Sequence, residues 1–469
     1  MKAKVSFIAL LLLSVIGIVS FEKPEKKKQK QPNLVVIMVD DMGWEDVGFN
    51  GCKDIPTPNI DRIANEGARF QEGYVSFPVC GPSRAGFLTG RYQDRFGFTT
   101  NPSIDPNNPT SGLPVEEETM AQVLKKADYN SAIIGKWHMG THPNFHPLKR
   151  GFDYFYGFLS GGHHYLPELI TLEDLSQVTK KWEWYSTKLR ENYGKVEIKD
   201  YLTDELTDAS IRYIKKQTEK DQHFMVYLAS NAPHGPLEAT EKYLSRFPNI
   251  ENKRRKTYAA MVSAVDDGVG RILKTLEEEG IDENTLVVFL SDNGGSRKNA
   301  SNNGSLRGFK TDLFEGGVRV PFAMRWKGVI PANQNITHPI SSLDIMATIV
   351  AQNGIKINKE RPLDGVDLIP YLTGKKKGAP HDYLFWRKWE QNCMAIRQGN
   401  LKLLANKNQE QNPTELYDIA SDPNETTDVK AQNTAEADKL MEKWIGWNSE
   451  MKDRVFPTLN GDQWWKYLD

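Results

Sequence analysis

Four short apolar runs, each broken off by charged or amide side chains, constrain this chain more than any other feature. Asn33-Leu34-Val35-Val36-Ile37-Met38-Val39 stops at Asp40-Asp41-Met42-Gly43. Ser131–Ile134 leads to Gly135-Lys136-Trp137-His138, Phe224–Leu228 to Asn231-Ala232-Pro233-His234, and Thr285–Leu290 to Ser291-Asp292-Asn293-Gly294. A continuous run rich in β-branched residues has no polar face to offer water, so it fits a strand covered on both sides, as in a parallel sheet. Helical spacing lies between the runs: Ile60, Ile63 and Ala64 within Pro58–Glu66, Met120, Val123 and Leu124 within Thr119–Lys126, and Met261, Val265, Val269, Ile272 and Leu276 within Tyr258–Glu279. The fold class predicted is α/β, a sandwich with a large, mostly parallel central sheet. Ligands of such sheets bind outside the carboxyl ends of the strands. The polar residues after these runs are therefore expected in one crevice.

After Ala347 the pattern changes. Short apolar-polar stretches at Tyr383–Trp386, Met394–Arg397, Leu401–Leu403 and Glu415–Asp418 predict a small antiparallel sheet, with a helix from about Thr434 to Trp447. At the other end, Lys2 and Lys4 precede an apolar stretch from Val5 to Val19, which reads as an export signal over residues 1–20, too short for a spanning anchor. Residues 21–32 read as a flexible Lys/Glu/Gln/Pro tether, 33–355 as the catalytic domain and 356–469 as a smaller α+β part. The net charge of −1 gives no global field for nucleic acid, so any anion site must be local. Three cysteines, Cys52, Cys80 and Cys393, are no disulfide framework for a chain of 469 residues.

Two of these features point to chemistry. Asp40 and Asp41 place adjacent carboxylates after a buried strand, where a cation relieves their repulsion. Cys80-Gly81-Pro82-Ser83-Arg84 places a thiol beside a cation where a helix begins, a position that favours thiolate.

With Thr57-Pro58-Asn59-Ile60-Asp61, Cys80–Arg91, Gly135–Gly140, Arg150-Gly151-Phe152-Asp153, Ala232-Pro233-His234, Ser291–Gly294, Arg307–Lys310 and Glu315–Pro321 in this order, the chain resembles the formylglycine-dependent (type I) sulfatases of the alkaline-phosphatase-like superfamily, and bacterial polysaccharide sulfatases in particular. The resemblance implies that Cys80 is oxidised to formylglycine (3-oxoalanine) by a maturation enzyme, and that Asp40, Asp41, Asp292 and Asn293 hold one divalent cation. Four oxygen donors suit Ca²⁺, with Mg²⁺ as the alternative, rather than zinc. It also implies roles: Arg84 holds the hydrated aldehyde, Lys136 and Lys310 clamp sulfate oxygens, His234 gives a proton to the leaving alcohol, and His138 takes one from the second hydroxyl so that sulfate is expelled. His163, His164 and Arg307 are expected to contact sugar. Trp386, Trp389, Trp464 and Trp465 have faces that suit sugar rings, although cores use tryptophan more often. Ala127-Asp128-Tyr129 departs from the family, which often has glycine before the aromatic residue, and reads as a loop difference without catalytic meaning.

The expected substrate is a sulfated carbohydrate, a galactan such as carrageenan or a glycosaminoglycan fragment, met by an exported bacterial enzyme in the periplasm, at the cell surface or outside. No stable membrane insertion is expected after signal cleavage. Two other readings stand beside it: a phosphonate or phosphate ester hydrolase, and an inactive sugar-binding relative.

Overall fold

Leu34, Val36 and Met38 point to one side of the first strand and Val35, Ile37 and Val39 to the other, and all six are fully buried in two separate apolar layers. The run lacks alternation because neither face meets water. The computed structural model describes residues 31–388, 391–405 and 414–457. The expected signal at 1–20, the tether as far as residue 30, and Trp389, Trp464 and Trp465 lie outside these residues.

Strands β1 (Asn33–Val39), β2 (Asn130–Lys136), β3 (Tyr154–Phe158), β4 (Phe224–Ala229), β5 (Thr285–Ser291) and β6 (Phe322–Arg325) form the middle of a ten-stranded sheet, in the order β6-β5-β1-β4-β2-β3. The strands from β5 to β3 run parallel, and β6 lies antiparallel to β5. Short strands at Ala68–Phe70 and Leu189–Glu191 extend the sheet antiparallel on either side. Helices α1 (Pro58–Asn65), α3 (Leu202–Thr218) and α4 (Lys253–Glu278) cover the Val35 face, while α2 (Cys80–Thr89) and α5 (Asp344–Gln352) cover the Leu34 face.

Strand register aligns the site. Met38 and Gly135 both pair with Ala229, and Val39 pairs with Ser291. Strands β1, β2, β4 and β5 therefore end on one rim, and the residues that follow each of them are neighbours. Helix α4 starts at Lys253 rather than Tyr258, because the Asn252 side chain accepts the backbone N–H groups of Arg254 and Arg255 and so caps an earlier start. Asp128 stands at a φ of 59°, the left-handed region where glycine is at ease.

The C-terminal part is an antiparallel meander of β7 (Leu384–Lys388), β8 (Cys393–Gln398), β9 (Leu401–Ala405) and β10 (Glu415–Asp418). One face packs Trp386, Ala395 and Leu404 against Tyr74, Leu313 and Val318. The other packs Ile396, Leu403 and Leu416 against Ala437 and Leu440 of α6 (Thr434–Asn448). Trp386 is thus a core residue, not a sugar platform: it is 1% exposed, and its indole N–H donates to the Val75 carbonyl at 2.8 Å. Cys52 and Cys393 are not joined by a disulfide. Among the described residues no helix is long and apolar enough to cross a membrane.

Candidate active site

Cys80 is the first residue of α2 and Arg84 lies one turn further on, so both side chains face the rim. Both are buried. The Arg84 Nε donates to Asp292 Oδ2 at 2.7 Å, and its Nη2 lies 3.5 Å from Asp40 Oδ2. Lys136, the last residue of β2, donates to the same Asp40 oxygen. From the loop after β5, Lys310 Nζ reaches Asp41 Oδ1 at 2.6 Å and the Cys80 sulfur at 3.0 Å. Asn293 Nδ2 donates to Asp41 Oδ1 at 2.8 Å, and the Asp41 backbone N–H points at Asp292 Oδ1 at 3.3 Å. His234 Nε2 lies 3.7 Å from Asp41 Oδ2, and its Nδ1 engages the Gly235 carbonyl at 2.6 Å. Asp41 and His138 both sit at positive φ, 62° and 56°. Such strained backbone in non-glycine residues persists only where surrounding structure enforces it.

Three carboxylates thus face three cationic side chains in a buried space. Burial opposes the ionisation of Asp40, yet Lys136, His234 and Arg84 hold its carboxyl well below the usual range. Burial and the charge on Asp40 push Asp292 up to about 6. Burial, with Lys136 and Arg84, keeps His138 neutral, and burial also lowers His234. Burial and Asp40 push the Cys80 thiol up to about 12, outweighing Lys136 and Lys310.

A divalent cation fits these residues. Ligand atoms of Asp40, Asp41, Cys80 and His234 lie within 4.8 Å of one another. Asp40 Oδ1 and Asn293 Oδ1 are buried without a hydrogen-bond partner among the described residues. Crowded carboxylates and two unsatisfied oxygens are what an oxygen-coordinated ion would satisfy.

The structure brings Cys80, Arg84, Lys136, His138, His234, Lys310, Asp40, Asp41, Asp292 and Asn293 together, and separates the three expected sugar contacts. His163 is fully buried, with Nδ1 on the His164 carbonyl at 2.8 Å and Nε2 on the Thr187 carbonyl at 2.6 Å, so both ring nitrogens are engaged within the protein. Arg307 lies with its guanidinium 3.9 Å over the Phe314 ring and donates to the Glu425 carbonyl and the Tyr417 hydroxyl, so it binds the C-terminal part. His164 pairs with Glu238 at 2.6 Å, its ring edge-on to that of Tyr185 at 6.2 Å.

Supporting residues escaped the sequence reading. Tyr165 donates its hydroxyl to the carbonyls of Asn231 and His234 and so fixes the histidine loop. Asn299 bridges the Asp41 and Pro233 carbonyls, joining the ends of β1 and β4. Tyr185 stands close enough to Lys310, Asp40, Cys80 and Asp41 to feel their charge. None follows an apolar run, so no strand-end pattern marks them. Two glycines allow the close approach: a Cβ on Gly294 would lie 1.9 Å from the Gly316 carbonyl oxygen, and one on Gly161 would lie 2.6 Å from His138 Nε2.

A buried, cation-lined pocket of oxygen donors at the carboxyl rim of an α/β sandwich defines a hydrolase of anionic esters. Comparisons with known proteins narrow this class. The family model for sulfatases matches residues 32–355, and that described as N-sulphoglucosamine sulphohydrolase, C-terminal, matches residues 309–446. N-acetylgalactosamine-6-sulfatase of Mus musculus is 35% identical over 408 residues, covering 84% of this chain and 74% of that protein. The crystal structure of Ps i-CgsB in complex with k-i-k-neocarrahexaose is similar at a TM-score of 0.86 and 37% identity, covering 94% of this chain and 100% of the other. PsFucS1 sulfatase from Pseudoalteromonas sp. follows at a TM-score of 0.76 and 26% identity, over 91% and 92%. The chain belongs to the sulfatase family and is an enzyme, a sulfuric ester hydrolase.

Proposed function

We propose that this protein removes sulfate from a sulfated saccharide, a carrageenan-type galactan or a glycosaminoglycan fragment, using formylglycine made from Cys80 and one divalent cation, calcium before magnesium, held by Asp40, Asp41, Asp292 and Asn293. The observation that carries the reading is the setting of Cys80: a buried helix-start residue 3.0 Å from Lys310, beside carboxylates with unsatisfied oxygens. The similarity to Ps i-CgsB, solved with a neocarrahexaose, and to N-acetylgalactosamine-6-sulfatase supports a saccharide.

When bound, the cation supplies fixed positive charge beside the reacting oxygens. Formylglycine supplies a hydrated aldehyde with one hydroxyl to attack sulfur and a second to release sulfate. The chain's own residues do the rest. Lys136 and Lys310 stand where charge on sulfate oxygens grows as the S–O bond breaks. Arg84 steadies Asp40 and Asp292 and adds positive charge beside the diol. His234 points Nδ1–H at the Gly235 carbonyl, so the proton it gives the leaving oxygen is the second one, on Nε2, whose charge Asp40 and Asp41 favour against the burial that opposes it. His138, neutral and with Nδ1 unpartnered among the described residues, is the base for the second hydroxyl. Cys80 is 2% exposed, so a maturation enzyme must meet this segment before the fold closes around it. The segment at 1–20 supports export.

The test measures sulfate and phosphate release from defined sulfated oligosaccharides and aryl esters, with the aldehyde at Cys80 verified by peptide mass. Sulfate release from one saccharide class, lost in Cys80→Ala, is the expected result. Turnover of phosphoesters alone would overturn the substrate assignment.

A further inference from the structure

Beside the catalytic residues stands an aromatic shelf that the chemistry above does not use. Tyr185 packs its ring end against Gly162, where a Cβ would lie 2.6 Å from the ring and 2.7 Å from the hydroxyl. Gly161, the preceding residue, lies against His138. The Tyr185 hydroxyl has no hydrogen-bond partner among the described residues, although the side chain lies within the field of Lys310, Asp40 and Cys80. The Trp182 ring sits 5.6 Å from that of Tyr185 and 5.2 Å from that of Trp184. Trp184 is buried with Ile104, Leu175 and Val178, which anchors the group.

Trp182 itself is 49% exposed. It also holds a φ of 77°, a left-handed conformation that bulky side chains rarely adopt. A large apolar ring that is both solvent-facing and backbone-strained is an arrangement stability alone does not select. Lys181 places its ammonium 5.0 Å from the Trp182 ring centre. The shelf thus offers an apolar face, a hydroxyl and a cation, joined to the site through Tyr185.

We propose that Trp182, with Tyr185 and Lys181, binds the sugar unit next in the chain to the one that loses its sulfate. The C–H face of that ring would lie on the indole, Tyr185 would hydrogen-bond near the linkage, and Lys181 would meet a sulfate or carboxylate on the neighbouring unit. This rests on the saccharide reading above and adds to it that the enzyme acts on a chain rather than on a single sugar.

The test compares kcat/KM on a carrageenan hexasaccharide and on the disaccharide of the same polymer, for the matured full chain and for Trp182→Gly and Trp182→Tyr. Glycine accepts the left-handed backbone, so Trp182→Gly keeps its fold, checked by thermal midpoint. The wild-type enzyme is expected to favour the hexasaccharide. Trp182→Gly should lose about tenfold on it, chiefly through KM, with the preference for length collapsing, and Trp182→Tyr should retain most of it. An unchanged preference in Trp182→Gly would refute the shelf and leave the sulfatase reading standing. A wild-type enzyme that cleaves aryl sulfate and neither these saccharides nor glycosaminoglycan oligosaccharides would remove the substrate class, and the shelf with it.

Discussion

Asp40 and Asn293 are fully buried, and each keeps one side-chain oxygen without a hydrogen-bond partner among the described residues. Leaving such an oxygen unsatisfied costs about 1–3 kcal/mol, so two at one rim call for a ligand. Asp292, pushed up to about 6 by burial and Asp40, adds a third strained group. Calcium added to metal-stripped protein should therefore raise the thermal midpoint, by about 2.7 kcal/mol of stability at a hundredfold excess over Kd. Asn293→Ala removes one donor and should shrink that shift. A midpoint indifferent to calcium and to chelator in the wild-type chain would sink the cation assignment without any activity assay. These donors were legible before the fold was known because each directly follows a buried strand. Tyr185, Tyr165 and Asn299 were not, since they lie in loops whose place is set by how distant segments pack.

Among the elements, legibility followed burial on both faces. β1 and β5 bury every residue, and their apolar runs match their bounds closely. α3 escaped because it turns Thr203, Thr207 and Ser210 inward, the hydroxyls of Thr207 and Ser210 donating to the carbonyls of Thr203 and Leu206 one turn earlier, so its buried side does not read as apolar. The flanking strands of three residues are too short for any period to show. α5 illustrates a tie that pattern does not reveal. Its first residue, Asp344, is fully buried, accepts the N–H groups of Ser341 and Val366, and pairs with His381 at 2.8 Å just before β7. Burial pulls the His381 pKa down, but Asp344 outweighs it and the net shift is upward. A raised folded pKa means that this pair stabilises fully below the unfolded value of 6.5 and loses its contribution as pH rises through the folded value. Thermal midpoints across about pH 6 to pH 8 should fall more steeply for the wild-type chain than for His381→Gln. Parallel profiles would show that the pair does not titrate in this range.

At the scale of the whole molecule, the C-terminal sheet does more than cover the catalytic part. The segment that carries Lys310 is held on one side by the end of β5, through Lys310 N–H on the Gly295 carbonyl and Gly294 N–H on the Gly317 carbonyl. On the other side it is held by β9 and the chain after β10. Lys402 places its ammonium 2.8 Å from Glu315 and 2.9 Å from Glu425, all three fully buried, while the Glu315 N–H donates to Glu425 at 2.7 Å. Tyr74, from the catalytic part, donates to Glu315 at 2.5 Å. Arg307 reinforces the same seam. Removing the cation would leave two carboxylates buried face to face, so Lys402→Met should cost about 3–5 kcal/mol in denaturant unfolding. Because Glu315 lies five positions after Lys310 on the clamped segment, the loss should also lower kcat, although Lys402 touches no catalytic residue. Lys402→Met combined with Glu315→Gln removes one of the stranded charges and should recover part of the stability. A single variant that lost stability but kept full kcat would mean that the β5 contacts alone position Lys310, and that the C-terminal sheet serves only to close the core.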